Sequence, residues 1–343
     1  MAESMSVPGD EALVLETVPL GPQWPTIDPF LFCAHHHDEY PRGDGTLGPA
    51  ASLDGLDLGA DFAGVDGWNM YHGEHVPGFP QHPHRGFETI TYVRRGLIDH
   101  SDSMGAQARF GAGDTQWLTA GSGIVHCEMF PLVHHDRPNP LELFQIWLNL
   151  PASDKMVDPY FTMLWAEELP VVEGPGASVT VVTGRLGDAN PPTPPNSWAA
   201  HDDAEVAVWH VRLDAGAVFT LPPAKAGVAR TIYCFDGNGV GIGAQSLGAN
   251  MCAVVRSDRS CPLVAGAGPV ECLVLQGRPL NEPVARYGPF VMNTRSEIQQ
   301  AFEDYERTGF GGWQWRVPDP NHGDATTARF ARYPDGSVVK PSR

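Results

Sequence analysis

The chain has 343 residues, of which 42% are hydrophobic and 18% are charged, a composition that is typical of a globular protein and not of a disordered one. Its 22 basic and 41 acidic side chains give a formal net charge of −19, which repels phosphate and disfavours direct binding to nucleic acid. No apolar run reaches the roughly 18 residues that a membrane-spanning helix needs. We therefore expect neither a nucleic-acid nor a membrane partner.

The six cysteines and the N-terminal sequence indicate the compartment. The cysteines are scattered along the chain without CxxC spacing. The first residues, MAESMSVPGDEALV, contain neither the basic segment nor the apolar core of a secretion signal. In a chain that is not exported, buried and reduced thiols are the usual state of cysteine. We predict a cytoplasmic protein, and the length of the chain predicts two domains.

The first predicted unit is an N-terminal extension, residues 1–27. It contains Pro8, Pro19, Pro22 and Pro25 and shows no sustained periodicity. Proline-rich segments of this kind form loops, so we predict loop structure with one part as an edge strand.

The second predicted unit, residues 28–150, contains eleven of the fourteen histidines. Its early segment, HHHDEYPRGDGTLGP at 35–49, is predicted to be a loop. The three histidines at its start have two interpretations, an exposed polar loop or a rim over a binding pocket. From Met70 to Leu150, short segments rich in β-branched and aromatic residues alternate with glycine turns, which is typical of a β-sandwich or barrel.

Two pairs of candidate metal ligands lie in the stretch Gly78–Glu128. His82 and His84 are separated by one residue, and so are His126 and Glu128. On a β-strand, side chains two residues apart leave the same face, roughly 7 Å apart along the chain. Two such pairs on facing strands would bring four ligands to one ion, and three imidazoles with a carboxylate suit a divalent transition metal such as iron. The alternative for an isolated His-x-His is a solvated or structural pair.

The carboxylate of such a site has two candidates, because Glu88 shares the parity of His84 and competes with Glu128. Alternation alone does not decide between them. The segment Phe87–Val93, FETITYV, is predicted to be a strand. Pro83 cannot donate to a sheet ladder, so the strand that carries the first histidine pair is expected to begin at or just after this proline.

A strand at Leu141–Leu150 is predicted to end the first barrel, and residues 151–159, rich in turn formers, are the predicted linker. The next unit, residues 160–312, repeats the strand pattern but contains no His-x-His, so we expect no metal in it. Its predicted strands are Ser178–Gly184, Val206–Leu213, Arg230–Phe235, Met251–Arg256 and Glu271–Gln276.

One helix is predicted, over residues 294–309. Thr294 and Glu297 form a capping-box pattern, and Gly309 is a natural stop. Apolar residues at helical spacing give the helix one apolar face, which predicts a packing role. The residues of that face are Ile298, Ala301, Phe302 and Tyr305. The remaining residues, 313–343, are predicted to be a C-terminal tail, and its basic last part, residues 326–343, is interpreted as a solvated end and not as a nucleic-acid arm.

The motifs HPHRGFETITY, GDTQWLTAGSGIVHCE and EPVARYGPFVMNT resemble the signatures of the pirin family, a branch of the cupin superfamily. The resemblance extends from Asp28 to Gly312. It implies an all-β bicupin fold, with two double-stranded β-helix (jelly-roll-like) barrels plus the C-terminal helix, and a mononuclear iron in the first barrel, with other divalent transition metals as the alternative. The ligands it implies are His82, His84, His126 and Glu128. The more general cupin pattern instead uses a glutamate shortly after the His-x-His, which here is Glu88.

Several pirins are quercetin 2,3-dioxygenases, so the resemblance implies a dioxygenase that cleaves a flavonol and releases carbon monoxide. Glu128 is then the expected catalytic residue, as the acceptor of the flavonol proton. Arg85, Gln116 and Trp117 flank the site in the motif. Arg85 has two interpretations, a residue that pairs with an acidic side chain such as Glu88 and orients a ligand, or a surface arginine at the end of a strand. The rival function is a non-enzymatic regulator, whose metal alters a surface that binds transcription factors or enzymes. The acidic net charge is compatible with such protein partners.

Overall fold

A computed structural model describes residues 12–342. Residues 1–11 and Arg343 lie outside the described residues, and with them most of the segment from which the absence of a secretion signal was predicted. The described residues form 24 β-strands, one α-helix and three short 3-10 helices. No helix among them has both the length and the hydropathy that crossing a membrane requires.

The secondary structure begins with ten strands and one 3-10 helix, Val65–Gly67, in the first part of the chain. These strands are β1 (Val14–Pro19), β2 (Phe30–Tyr40), β3 (Gly78–His84), β4 (Phe87–Arg95), β5 (Leu97–Asp102), β6 (Gln107–Gly111), β7 (Thr115–Thr119), β8 (Ile124–Met129), β9 (Asn139–Asn149) and β10 (Tyr160–Leu164).

The second part of the chain contains the other strands, the α-helix α1 (Arg295–Thr308) and the 3-10 helices Trp198–Ala200 and Gly309–Gly311. Its strands are β11 (Val171–Gly174), β12 (Ala177–Thr183), β13 (Ala207–Leu213), β14 (Val218–Leu221), β15 (Ala229–Gly237), β16 (Val240–Ile242), β17 (Gln245–Leu247), β18 (Met251–Val255), β19 (Cys261–Ala265), β20 (Val270–Gly277), β21 (Ala285–Tyr287), β22 (Phe290–Met292), β23 (Phe330–Arg332) and β24 (Val338–Val339).

Two sheets form the first half of the molecule. The five-stranded sheet has the order β10-β7-β4-β9-β2, and the six-stranded sheet has the order β24-β23-β6-β5-β8-β3. Their inner faces share one buried core, in which Val93 and Leu143 from the first sheet meet Ile98 and Phe110 from the second. Because side chains alternate along each strand, the other face of the five-stranded sheet is free to pack elsewhere.

The second half repeats this arrangement with a seven-stranded sheet, β1-β18-β15-β20-β13-β12-β11, and a four-stranded sheet, β14-β19-β16-β17. Trp209 and Ile232 of the larger sheet pack against Ile242 and Leu263 of the smaller one. The predicted all-β architecture of two barrels and a C-terminal helix is therefore confirmed.

The halves pack through the remaining faces of their larger sheets. Ile90 and Phe144 of the five-stranded sheet share a buried cluster with Val208, Tyr233 and Leu273 of the seven-stranded sheet. This contact fixes which side of β4 faces the second half and which side faces the interior of the first barrel.

The first and last strands of the described chain each belong to the half that is distant in sequence, which the sequence did not indicate. Strand β1 pairs with β18 of the second half, whereas β23 pairs with β6 of the first half. The end of the tail, which was predicted to be solvated from residue 326 onward, therefore supplies the strands β23 and β24 to the first barrel, which is a correction. The division of the chain also moves, because β10 pairs with β7, so the sheets separate after residue 164 and not within the predicted linker 151–159.

The predicted strands at Phe87–Val93 and Leu141–Leu150 are confirmed as β4 and β9. All five strands predicted in the second half are also present, as β12, β13, β15, β18 and β20. The predicted helix is confirmed as α1, with Thr294 as N-cap, a complete capping box with Glu297, and Gly309 in the left-handed conformation after its end. Its predicted apolar face packs against β22.

Two local predictions were wrong. The histidines at 35–37 lie in strand β2 and not in a loop. Strand β3 begins at Gly78, five residues before Pro83, and includes that proline. The reason is that β3 is the outermost strand of its sheet, where a residue without an N–H on the open side costs no ladder hydrogen bond.

Candidate metal centre

Strands β3 and β8 position the candidate ligands. They are antiparallel neighbours, and His82 lies directly opposite His126. A register shift between Phe79 and His82 inserts one extra residue into β3 at this point. Such bulges re-aim side chains relative to a regular ladder. The two histidine-bearing segments, far apart in sequence, are thereby joined in one wall of the first barrel.

Three imidazoles converge at this point. One ring nitrogen from each of His82, His84 and His126 can be chosen so that all three lie within 4.8 Å of one another. The ring centroids of His82 and His126 are 4.4 Å apart, and that of His84 is 4.8 and 4.9 Å from them. Imidazoles clustered this closely are the nitrogen donor set that suits first-row transition metals.

Backbone carbonyls orient two of these rings. His82 Nδ1 lies 2.8 Å from the carbonyl oxygen of Pro80, and His84 Nδ1 lies 3.3 Å from that of Pro289. A carbonyl oxygen only accepts, so Nδ1 carries the proton in both rings and Nε2 has a free lone pair. Hydrogen bonds of this kind fix the tautomer of metal-binding histidines.

The third ring, that of His126, gives the strongest indication that a metal fits this site. His126 is completely buried, and neither of its ring nitrogens has a hydrogen-bond partner among the described residues. Buried polar atoms without a partner are rare and costly. Burial lowers the pKa of all three histidines, to about 4 for His82 and well below the usual value for the others. The neutral imidazole is the form that binds a metal, so the residues present fit a metal ion.

Glu128 is not part of the group of three converging ring nitrogens, but it lines the same cavity as His82 and His84. Its carboxylate accepts hydrogen bonds from the Thr91 hydroxyl at 2.9 Å and from Gln145 Nε2 at 3.4 Å. Burial raises the pKa of Glu128, and these two donors and His100 oppose that rise. A buried carboxylate with a raised pKa takes up a proton more readily than an exposed one.

Glu88, the competing carboxylate, is directed elsewhere. Glu88 is two residues before Ile90 on β4, so both side chains lie on the face of the strand that packs against the second half. Oε2 accepts from Trp117 Nε1 and Thr119 Oγ1, and Oε1 accepts from the hydroxyl of Ser197 and the backbone N–H of residue 198. Parity with His84 was misleading because Gly86 separates two strands that belong to different sheets.

A cavity of about 520 Å³ is lined in part by three of the four candidate ligands, His82, His84 and Glu128. Most of its wall surface is apolar, although half of its sixteen lining residues are polar. Its apolar lining residues are Phe32, Phe62, Phe79, Pro80, Ile98, Phe130, Leu143 and Trp147, and its polar lining residues are His36, His72, Gln81, His82, His84, Thr91, Glu128 and Gln145. Pockets of this volume and lining are typical sites for small organic ligands.

Sequence reasoning misplaced or missed several neighbours. The acidic partner of Arg85 is Asp304 of α1, at 2.9 Å, and not Glu88. The buried His100 was not singled out, although it faces Glu128 across β5 and β8 and its ring centroid is 5.5 Å from that of His126. An alternating His-x-Asp on β5 was the available signal. Of the three histidines in β2, only His36 is among the described residues that line the cavity.

Comparison with known proteins follows the same division of the chain. The family model described as Pirin matches residues 15–148, and the model described as Pirin C-terminal cupin domain matches residues 208–311. The chain is 34% identical to Pirin from Homo sapiens over 251 residues, which is 71% of this chain and 81% of that protein. It is 35% identical to a pirin-like protein from Solanum lycopersicum over 251 residues, with 68% and 77% of the two chains covered.

A solved structure is also similar. The crystal structure of quercetin 2,3-dioxygenase from Acinetobacter baumannii matches with a TM-score of 0.68 and 25% sequence identity. The match covers 87% of this chain and 98% of the other.

Proposed function

This chain belongs to the pirin family, and from that premise we propose that it is an iron-dependent dioxygenase that cleaves flavonols such as quercetin. The observation that carries the proposal is that two of three convergent imidazoles, those of His82 and His84, line a largely apolar cavity together with the carboxylate of Glu128. A flavonol is a flat aromatic molecule, and a cavity of about 520 Å³ lined by phenyl and indole rings is suited to one.

His82, His84 and His126 would hold the metal, with Glu128 as the fourth ligand when its side chain turns from Thr91 toward them. Bound iron would supply polarisation of the flavonol 3-hydroxyl and the capacity to activate dioxygen. In the overall reaction, both atoms of dioxygen are incorporated, carbon C3 leaves as carbon monoxide, and the rest of the flavonol becomes a depside.

The part assigned to Glu128 is to take the proton of the 3-hydroxyl. Burial raises the pKa of this carboxyl, which makes it a better base at neutral pH than an exposed glutamate. Thr91 and Gln145 donate to its two oxygens and so set the direction from which it approaches a ligand. The apolar walls exclude water, which strengthens each of these interactions.

The proposal is tested with iron-loaded protein, quercetin and dissolved oxygen. Equal molar consumption of quercetin and oxygen, with release of carbon monoxide, is the expected result. Glu128→Gln is expected to lower turnover more than it lowers iron content. An iron-replete protein that consumes no oxygen with any flavonol would contradict the enzymatic proposal and favour the regulator that acts through protein partners.

A further inference from the structure

A chain of buried hydrogen bonds reaches the cavity from the side of β2. It begins at Asp38, which is completely buried. Asp38 Oδ1 accepts from the backbone N–H of Asn69 at 2.9 Å and from its side-chain amide at 3.0 Å. Asp38 Oδ2 accepts from the Tyr71 hydroxyl at 2.7 Å. Three donors therefore surround this carboxylate, and no proton is left on the Tyr71 oxygen for another partner.

The next member of the chain is His36. Its Nδ1 lies 2.8 Å from the Tyr71 hydroxyl oxygen. Because that hydroxyl gives its proton to Asp38, the hydrogen bond to His36 forms only if Nδ1 donates. The proton of the neutral ring is thereby held on Nδ1, and Nε2 is an acceptor. His36 lines the cavity, and its Nε2 has no hydrogen-bond partner among the described residues.

The backbone conformation of Tyr71 fixes the position of its side chain. Tyr71 has a φ of 57°, a left-handed conformation that bulky residues rarely adopt. Two backbone hydrogen bonds between Tyr71 and Asp61, of 2.8 and 2.9 Å, hold it there. The side chain is buried, so its hydroxyl is fixed between the carboxylate and the imidazole.

A second histidine at the same end of the cavity, His72, is held in the same tautomer as His36. His72 Nδ1 lies 2.6 Å from the carbonyl oxygen of Gly59, so Nδ1 carries the proton and Nε2 accepts. His72 is exposed, which places it at the mouth of the cavity. Phe79 contacts both rings, with centroid distances of 5.9 Å to His36 and 5.7 Å to His72. Its ring centroid is 6.5 Å from that of His82, so Phe79 lies between these histidines and the metal ligands.

We propose that His36, oriented by Tyr71 and Asp38, is the specificity-determining residue of this cavity and accepts a hydrogen bond from a ring hydroxyl of the ligand. The inference rests on the proposed function. The metal ligands would take the 3-hydroxyl end of a flavonol, and His36 would take a phenolic hydroxyl at another edge. The cavity therefore favours polyhydroxylated aromatic compounds, because a neutral acceptor forms a hydrogen bond with a ring hydroxyl and none with an unsubstituted ring.

The test compares binding of quercetin and of 3-hydroxyflavone, which has the metal-binding edge but no other hydroxyl. Iron-loaded protein is titrated without oxygen, so that binding is measured and not turnover, and iron content is determined for each variant. Wild-type protein is expected to bind quercetin about tenfold more tightly than 3-hydroxyflavone. His36→Phe is expected to lose this preference by weakening quercetin binding alone.

Two further variants separate an acceptor role from a packing role. His36→Gln keeps an acceptor and is expected to restore most of the preference. Tyr71→Phe removes the group that holds the tautomer and is expected to weaken quercetin binding by a smaller factor. The matched control is His37→Phe, an exposed neighbour in β2 outside the cavity, which is expected to change neither affinity.

The inference is overturned if wild-type protein binds the two compounds equally, or if His36→Phe weakens both by the same factor. Those outcomes leave the proposed function intact, because flavonols still bind. Wild-type protein that binds neither compound contradicts the proposed function and this inference together.

Discussion

His82 and His126 are register partners on the neighbouring strands β3 and β8 of one sheet, and their ring centroids are 4.4 Å apart. His84 completes the cluster from two residues further along β3. The three rings are neutral, two have their tautomers set by backbone carbonyls, and the third has no partner for either nitrogen among the described residues. This arrangement is the basis of the proposed metal centre.

The first prediction separates the two carboxylates. Glu128→Gln removes a charged group from the cavity wall and is expected to weaken metal binding on the order of tenfold. Glu88→Gln lies in the interface between the halves and is expected to leave the metal in place. The measurement is metal content after dialysis against a graded series of a weak chelator. Loss of the metal from Glu88→Gln, with retention in Glu128→Gln, would show that Glu88 is the ligand.

The second prediction concerns pH and Glu88. Burial raises the pKa of Glu88 to about 7, against the effect of four hydrogen-bond donors. Between the unfolded value of 4.5 and about 7, the folded protein binds more protons at this group than the unfolded protein does. The stability that Glu88 contributes is therefore greatest at low pH and falls as pH rises through this window.

Urea unfolding of wild-type protein and Glu88→Gln at pH 5.5 and 7.5 measures this effect. The difference between their free energies of unfolding is expected to change by about 2 kcal/mol, with wild type losing stability relative to the variant as pH rises. Both proteins contain the same other titrating groups, which cancel in the comparison. A difference that stays constant across these pH values would mean that Glu88 remains ionised in the folded protein.

The third prediction concerns the C-terminal strands. Arg329, next to β23, donates to the buried carboxylate of Asp114 at 2.7 Å and also pairs with Glu167. Arg329→Ala leaves Asp114 with only backbone donors, so it is expected to lower the free energy of unfolding by about 2 kcal/mol. The matched control is Arg332→Ala, at an exposed position of β23, which is expected to change stability by less than about 0.5 kcal/mol. Equal effects in the two variants would contradict the assigned role of the tail.

Local sequence patterns were sufficient for much of the fold. The strand at Phe87–Val93 follows from β-branched and aromatic composition, and the helix at Arg295–Thr308 follows from its capping box and its apolar spacing. The two pairs of candidate ligands, His82 with His84 and His126 with Glu128, were found for the same reason, because alternation on a strand is a period of two residues. The structure brings three of those side chains together, and their role as ligands stays a proposal.

The remaining features depend on contacts between distant segments. Pairing of β1 with the second half and of β23 with the first leaves no periodic signal in either segment. The link from Asp38 through Tyr71 to His36 joins residues more than thirty positions apart, so no local motif contains it. The position of Glu88 depends on which face of β4 meets the second half, and that is decided by the packing of two sheets.

The central claim, a single metal held by His82, His84 and His126, is tested most directly by elemental analysis of protein purified without chelators. Wild-type protein is expected to contain one metal ion per chain, and His126→Ala less than about a tenth of that amount, because the ring with no other partner is removed. His135→Ala, at an exposed position outside the cavity, is the control and is expected to match wild type. Full metal content in His126→Ala would contradict the claim.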